Sequence, residues 1–303
     1  MISFKEFFNT KKIILFDGAI GSNLLSEDSS VSLPDLLSLK CPEFVESLHE
    51  AYLEAGCDVI ETNSFGSNPI SFENFGITES AFDCAKKAAE IAKKAASRFS
   101  TDKRPRFVAG SIGPIFDKNG LLQNKTRLSE AFSAQISALL EGGADILIFE
   151  TMQDIIQLNS ALAAAEKIRK EIPVIVSVSG KYGKTHTGTP FENFRETLLK
   201  YDILAFGLNC EDFSMITEDI EIIKKASDLP LIVMPNLGLP EKIDGKFFYK
   251  TTPAEFAAKM TEIIRKYDPK IVGGCCGTTP EHIKTLAEKN LDLQNKRYSD
   301  LSR

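Results

Sequence analysis

Two adjacent cysteines near the C-terminal end of the chain are the residues best suited to chemistry. Cys275 and Cys276 lie in residues 273–280, which read GGCCGTTP and directly follow a short apolar run. A disulfide between neighbours in sequence would strain the backbone, whereas a turn bent by glycine can aim both sulfurs at one metal ion. A zinc site needs three or four ligands. The stretch therefore indicates part of a zinc site.

A third sulfur ligand is predicted upstream, at Cys210. It follows the apolar run 203–206 within the sequence FGLNC, so it lies at the end of a predicted strand, as the cysteine pair does. Three thiolates leave the fourth tetrahedral position of zinc free for a substrate, which is typical of a catalytic site. We therefore expect Cys210, Cys275 and Cys276 to form one metal site built from two neighbouring strands. The alternatives are packed structural thiols and a redox site.

Length and composition limit the class of protein. The chain has 303 residues, of which 43% are hydrophobic and 26% charged, as is typical of a globular protein with a large core. Its net charge of −6 argues against nucleic acid or an anionic membrane as a partner. No apolar run approaches the roughly 20 residues of a membrane span, and the N-terminus lacks the pattern of a signal peptide. With six cysteines and no such signal, we expect a cytoplasmic protein with reduced thiols.

Strand-like and helix-like patterns alternate along the whole chain. Short apolar runs predict strands at residues 13–16, 58–62, 106–110, 145–149, 174–178, 203–206, 231–234 and 270–272. Helical patterns follow them at residues 42–55, 79–98, 128–141, 154–170, 191–200, 214–226, 253–267 and 280–289. Continuous apolar runs are typical of parallel strands that are covered on both faces. We therefore predict a single-domain (β/α)8 TIM barrel over residues 1–303, with its active site at the C-terminal ends of the strands.

Polar residues support the barrel because they cluster directly after the predicted strands. They are Asp17, Glu61, Asn63, Glu150, Asn209, Cys210, Asn236, Cys275 and Cys276. The competing architecture, an open doubly wound sheet, would carry a G-x-G-x-x-G phosphate-binding turn after its first strand. Residues 17–21 read DGAIG and do not match that turn. The barrel is therefore favoured.

Seven short motifs together resemble the homocysteine S-methyltransferase family. They are FDGAIG at 16–21, ETNSFG at 61–66, GSIGP at 110–114, FET at 149–151, GLNC at 207–210, PN at 235–236 and GGCCGTTPEH at 273–282. Within the family, the chain is most similar to the homocysteine-binding domain of cobalamin-dependent methionine synthase. Two positions depart from the family pattern: Ser22 stands where threonine is common, and Leu237 where alanine or serine is more usual.

This resemblance implies a zinc-dependent transfer of a methyl group to homocysteine, which forms methionine. Zinc held by the three cysteines would ionise the substrate thiol, because a free thiol of pKa about 8.5 is mostly protonated near neutral pH. The substrate-binding residues implied are Asp17, Gly18, Ala19, Glu150, Asn209 and Asn236. The carboxylates of Asp17 and Glu150, also the catalytic candidates, would hold the ammonium group. Backbone N–H groups of Gly18 and Ala19 would receive the substrate carboxylate.

The methyl donor that the resemblance implies is methylcobalamin on a partner module, with a folate-binding module as a further partner. Residues 1–303 hold no sequence for such modules. One alternative is a stand-alone enzyme that uses S-methylmethionine or betaine. A second is a homocysteine-binding module that is inactive without its partner domains. A third is a zinc-storing or redox-sensing barrel.

The remaining cysteines and histidines are expected to have structural roles. Cys57 and Cys84 fall in helix-associated positions and predict buried packing thiols. His282 lies on the helix after the cysteine pair and is expected to cap that helix or support the site rather than bind metal. Residues 182–189 contain glycine and threonine but no phosphate-binding motif, so they predict a flexible rim loop. Glu61, Thr62 and Asn63 are weaker candidates for the mouth of the pocket.

Overall fold

Eight parallel strands form a barrel in the computed structural model, which describes residues 2–27, 31–243 and 246–289. The strands are β1 (Ile14–Leu15), β2 (Val59–Glu61), β3 (Phe107–Ile112), β4 (Ile146–Met152), β5 (Val174–Val178), β6 (Ala205–Asn209), β7 (Leu231–Met234) and β8 (Ile271–Val272). Each pairs in parallel with the next, and β8 pairs with β1. A parallel bridge between Phe16 and Val59 joins β1 to β2 and closes the ring. The predicted (β/α)8 architecture is confirmed.

Helices surround the barrel, and the predicted helix at residues 191–200 is in fact a 3-10 turn over Phe191–Phe194 followed by a short α-helix. The α-helices are Phe4–Thr10, Gly21–Glu27, Leu37–Lys40, Pro42–Ala55, Pro69–Asn74, Ala81–Phe99, Lys125–Glu141, Ile155–Ile168, Arg195–Lys200, Phe213–Ala226, Pro253–Tyr267 and residues 280–289. The helix Pro253–Tyr267 starts with a capping box between Thr252 and Glu255. The helix Pro42–Ala55 ends at Gly56, whose φ of 113° favours glycine. None of the described helices is long and apolar enough to cross a membrane.

Short antiparallel hairpins follow three of the barrel strands. They pair Phe116–Asp117 with Gly120–Leu121, Gly180–Lys181 with Lys184–Thr185, and Glu241–Ile243 with Lys246–Phe248. The second hairpin corrects the prediction of a loop after β5. Its turn is held by the Gly183 N–H, which donates to Asp219 Oδ1 over 2.6 Å. The predicted single domain of residues 1–303 stays a prediction, because residues 290–303 lie outside the described residues.

Strand alternation divides the barrel interior into an apolar lower layer and a polar upper layer. Ile14, Ala109, Ile148, Ile175, Ala205, Ile232 and Ile271 belong to one buried cluster inside the barrel. The N-terminal helix Phe4–Thr10 closes the lower end, where the ring of Phe4 packs against that of Phe107 with centroids 5.2 Å apart. Inward positions nearer the strand ends carry Glu61, Ser111, Glu150, Ser177 and Asn209. The inward positions named here are therefore apolar in the lower layer and polar toward the end where the strands stop.

Candidate metal centre

Three cysteine sulfurs converge at the C-terminal end of the barrel. The Sγ atoms of Cys210, Cys275 and Cys276 all lie within 4.8 Å of one another, and those of Cys210 and Cys276 are 3.4 Å apart. Around a tetrahedral zinc ion with Zn–S bonds of about 2.3 Å, ligand sulfurs would be roughly 3.8 Å apart. The observed spacing and the all-thiol donor set fit such an ion. The structure therefore brings together the three cysteines that the sequence predicts to share one site.

Cys210 is oriented by the strand beside its own. Its N–H donates to Met234 O over 3.0 Å, and the Asn236 side-chain amide donates to Cys210 O over 2.9 Å. The φ of Cys210 is 56°, a left-handed conformation that these contacts hold in place. The predicted arrangement was wrong in one respect: β6 and β8, which carry the three sulfurs, are not neighbours, because β7 lies between them.

The turn that carries the cysteine pair is fixed by main-chain hydrogen bonds on both sides. The Gly274 N–H donates to Asp17 O over 2.9 Å, and the Cys275 N–H donates to Pro235 O over 2.8 Å. Gly277 has a φ of +84°, and a Cβ there would lie 2.6 Å from the ring of Tyr249. Gly277 is therefore needed for the turn itself.

Hydrogen bonds among the sulfurs shift the pKa values of Cys275 and Cys276 in opposite directions. Hydrogen bonds from Cys210 and then from Cys275 lower the pKa of Cys276 to about 3. Hydrogen bonds with Cys210 and Cys276 raise the pKa of Cys275 well above its ordinary value. One of the three sulfurs is thus ionised near neutral pH, and a metal ion would displace the remaining protons on binding.

A cavity of about 270 Å³ opens directly beside the sulfurs. Its wall contains the three cysteines together with Gly18, Ala19, Ile20, Gly21, Ser22, Leu33, Pro34, Asp35, Glu61, Thr62, Asn63, Ser64, Phe65, Ser111, Glu150, Thr151 and Gly274. Three residues predicted for the pocket, Asp17, Asn209 and Asn236, are not in this wall. Among the described residues that form it there is no lysine, arginine or histidine. Besides the cysteines, the ionisable groups of this described wall are therefore the acids Asp35, Glu61 and Glu150.

Glu150, which faces inward near the end of β4, is an acid of the cavity wall with a hydrogen-bond donor at each oxygen. Ser111 Oγ donates to Glu150 Oε1, and the amide of Asn209 donates to Oε2 over 3.1 Å. Asn209 is fixed in turn because its Oδ1 accepts bonds from Thr151 N–H and from the Ser177 hydroxyl. Burial, opposed by the Ser111 bond, raises the pKa of Glu150 to about 7. Asn209 is thus placed to orient Glu150, and Ser111 is a further anchor that sequence reasoning missed.

Asp17 and Glu61 form a second acidic pair at the ends of β1 and β2. The Glu61 N–H donates to Asp17 Oδ2 over 3.0 Å. Asp17 Oδ1 and Glu61 Oε1 are buried and have no hydrogen-bond partner among the described residues. Burial, with repulsion from Glu150, raises the pKa of both carboxyl groups well above the ordinary range. Asp17 lies behind the cavity wall, whereas Glu61 is part of it.

The backbone donors predicted for a substrate carboxylate differ in availability. The Ala19 N–H donates to Thr278 Oγ1 over 3.0 Å, so it already has an acceptor. A Cβ on Gly18 would lie 2.5 Å from the same Thr278 oxygen, which shows how closely this segment approaches the turn after β8. Thr278 belongs to the GGCCGTTP stretch, but its role as a brace between β1 and β8 was not predicted.

The residues expected to be structural are confirmed as such. Cys57 and Cys84 are fully buried, and Cys57 packs within the main hydrophobic core. His282 Nδ1 accepts from Thr279 N–H and contacts the Thr279 hydroxyl at 2.8 Å, while Nε2 lies 3.1 Å from Thr251 O. His282 therefore caps the helix that it belongs to and ties that helix to the segment after β7.

Comparisons with known proteins agree with these observations. A sequence model of the family described as "Homocysteine S-methyltransferase" matches residues 14–290. Methionine synthase of Mycobacterium leprae is 30% identical over 293 residues, which cover 91% of this chain and 24% of that protein. Methionine synthase of Mycobacterium tuberculosis is 29% identical over 292 residues, which cover 92% of this chain and 24% of that protein. The chain thus spans about a quarter of the length of these relatives.

Solved structures share the fold. The metallated form of the homocysteine methyltransferase MmuM from Escherichia coli superposes with a TM-score of 0.73 at 23% identity, covering 94% of this chain and 99% of that one. The oxidized form of the same protein gives a TM-score of 0.74 at the same identity and coverage. At this identity the superposition shows a common fold.

Proposed function

The chain belongs to the homocysteine S-methyltransferase family, and from that premise we propose that it transfers a methyl group to the sulfur of homocysteine and so forms methionine. The observation that carries the proposal is the cluster of three sulfurs at the wall of a cavity that also contains buried carboxylates. A thiol substrate with an ammonium group needs both kinds of partner, and they lie together at this end of the barrel.

Zinc is the metal we propose for the cluster, held by Cys210, Cys275 and Cys276. When bound, zinc supplies Lewis acidity that lowers the pKa of a coordinated substrate thiol. The protein contributes the fixed positions of the three sulfurs, which the main chain of β7 and the Asp17 carbonyl hold in place. Asn236 contributes through Cys210, because its amide bonds the carbonyl of that residue rather than facing the cavity.

The carboxylates orient the amino-acid end of the substrate. Glu150 accepts a hydrogen bond from the ammonium group and Asn209 keeps Glu150 in position, while Asp17 contributes only if the ammonium group reaches it behind the cavity wall. The substrate carboxylate lies against the backbone N–H of Gly18, while the Ala19 N–H contributes only if it leaves Thr278. These contacts direct the substrate sulfur toward the cysteine cluster.

The donor we propose is methylcobalamin carried on a partner module, with a folate-binding module as a further partner. Support comes from the methionine synthase relatives, which are about four times as long as the matched region. A stand-alone enzyme with a small donor, such as S-methylmethionine or betaine, is the second candidate. It is favoured by the fold match to MmuM, which spans 99% of that chain. A binding module that turns over only with partner domains is the third.

One experiment tests the activity and separates the donors. The zinc-loaded chain of residues 1–303 is incubated with L-homocysteine and, in separate reactions, with methylcobalamin, S-methylmethionine or betaine, and methionine is quantified by mass spectrometry. Methionine with methylcobalamin supports the first candidate, and methionine with a small donor the second. Binding of homocysteine without turnover until a cobalamin-binding protein is added supports the third. No methionine under any of these conditions would refute methyltransferase function.

A further inference from the structure

Glu61 occupies a position in the cavity that the proposed substrate contacts leave unused. Val59, two residues earlier on β2, belongs to the cluster inside the barrel, so alternation along the strand directs Glu61 inward as well. Glu61 is 7% exposed, and the part that remains accessible faces the cavity beside the sulfurs. Its Oε1 has no partner, and no described donor bonds its other oxygen.

The contrast with Glu150 shows that this lack of partners is particular to one side of the cavity. Glu150 accepts one hydrogen bond at each oxygen, from Ser111 and Asn209. Glu61 accepts none, although its own N–H holds the neighbouring Asp17 carboxylate in place. A buried carboxylate oxygen without a donor is costly, and the described wall of the cavity supplies no cationic side chain. A ligand in the cavity can supply the missing donor, because Glu61 is part of the cavity wall.

We infer that Glu61 is a third carboxylate of the ammonium subsite, which makes it a residue that determines specificity for a free primary amino group. This inference rests on the proposed function. A primary ammonium has three N–H donors, and the carboxyl groups nearest to them are those of Glu61 and Glu150 in the cavity wall and of Asp17 behind it. A thiol whose nitrogen is missing or acylated leaves at least one of these buried carboxylates unpaired and is rejected for that reason.

The test compares two thiols that differ only in the ammonium group. Zinc-loaded wild type, Glu61→Gln and Glu61→Asp are titrated calorimetrically with L-homocysteine and with 4-mercaptobutanoate, its deamino analogue. Loss of one charge-assisted hydrogen bond in a buried site is expected to weaken homocysteine binding by Glu61→Gln about 10- to 100-fold. Binding of 4-mercaptobutanoate is expected to change by less than about 2-fold, because that thiol offers no donor to Glu61. Glu61→Asp keeps the carboxyl group, and its affinity for homocysteine is expected to lie between those of wild type and Glu61→Gln.

Controls make each outcome decisive. Glu54→Gln removes an exposed carboxylate on the helix Pro42–Ala55 and should leave both affinities unchanged. Zinc content and circular dichroism establish that each variant is folded. If Glu61→Gln does not fold, the comparison of the two thiols is made with Glu61→Asp instead. Equal losses for both thiols, or full homocysteine affinity in Glu61→Gln, would overturn the role of Glu61 while the proposed function stands. Failure of the wild type to bind homocysteine would instead overturn the proposed function, and the inference with it.

Discussion

The two ends of the barrel both bury carboxylates, but they compensate them differently. At the N-terminal end, Asp58 accepts from the Leu15 N–H over 2.8 Å, forms an ion pair with Lys11 and lies 3.8 Å from the guanidinium of Arg106. At the C-terminal end, Asp17 and Glu61 have carboxylate oxygens with no partner among the described residues. One fold therefore contains both a neutralised and an uncompensated buried acid.

This difference separates residues that stabilise the barrel from residues whose carboxyl groups are paired only when a ligand binds. A buried charge that the protein itself pairs contributes to folding, and its removal leaves the partner charge uncompensated. A buried acid without a partner opposes folding, as an unpaired charge or as a group held in its protonated form, and is retained where a ligand supplies the counter-charge. Substitutions at the N-terminal end should therefore lower stability, whereas substitutions at the C-terminal end should lower binding or activity with little loss of stability.

The largest effect is expected from Cys276→Ala at the C-terminal end. Two sulfurs remain, too few for a closed zinc site, so zinc content should fall below about 0.2 equivalents and methyl transfer below about 1% of wild type. Metal analysis and a methionine assay measure this. Cys41→Ala, which removes a cysteine outside the cluster, should retain both. Full zinc content in Cys276→Ala would contradict the assignment of this ligand.

The sharpest change in stability is expected from Asp58→Asn at the N-terminal end. The substitution leaves Lys11 and the buried Arg106 without their carboxylate, and the free energy of unfolding should fall by about 3 kcal/mol in urea denaturation. The matched control is Asp202→Asn, because Asp202 pairs with Lys5 at the surface. This substitution should lower the free energy of unfolding by less than about 1 kcal/mol. Equal losses in the two variants would remove the distinction between the two ends.

The pH dependence of stability tests the uncompensated end directly. Burial raises the pKa of Glu150 to about 7 from an ordinary value of 4.5. Between these values the folded chain keeps a proton that the unfolded chain has released, so stability should fall as pH rises from about 4.5 to about 7. Glu150→Gln lacks this contribution. In EDTA, its free energy of unfolding should therefore rise by roughly 2 kcal/mol relative to that of wild type as pH increases across that range. Parallel pH profiles for the two proteins would show that Glu150 is not the group responsible.

The smallest effect is expected from Ser111→Ala, which removes one donor to Glu150. Because Asn209 still holds the other oxygen, KM for homocysteine should rise about 5- to 10-fold while kcat changes less than about 2-fold. Ser177→Ala is the control, since that hydroxyl bonds Asn209 and acts on Glu150 one step further away. A larger effect from Ser177→Ala than from Ser111→Ala would place the anchor of Glu150 elsewhere.

The architecture follows from sequence because its signals are local and repeated. Apolar runs of three to five residues, each followed by a helical pattern, specify parallel strands without any knowledge of distant contacts. The N-terminal helix Phe4–Thr10 was not predicted, although Ser3 and Glu6 form a capping box at its start. A helix of seven residues is too short to be stable alone, and what holds this one is its packing under the barrel.

The metal cluster could be predicted for a related reason, whereas its surroundings could not. Cysteines at strand ends must share one rim of a barrel, so their convergence follows from topology. Which polar atoms face the cavity depends on side-chain packing across the rim. Thr278 accepts the Ala19 N–H, and Asp17 turns toward the main chain of Glu61, and no local pattern specifies either contact.

The position of β7 between the two sulfur-bearing strands has a consequence for metal exchange. Main-chain bonds from Cys210 and Cys275 to β7 and its continuation join the ligand segments without help from an ion. Chelation should therefore remove metal reversibly without melting the scaffold, unlike in a zinc finger, where folding and metal uptake are a single event. Apo protein prepared in this way should accept cobalt(II) or cadmium in place of the native ion, which would make the thiolate site directly visible to absorption spectroscopy.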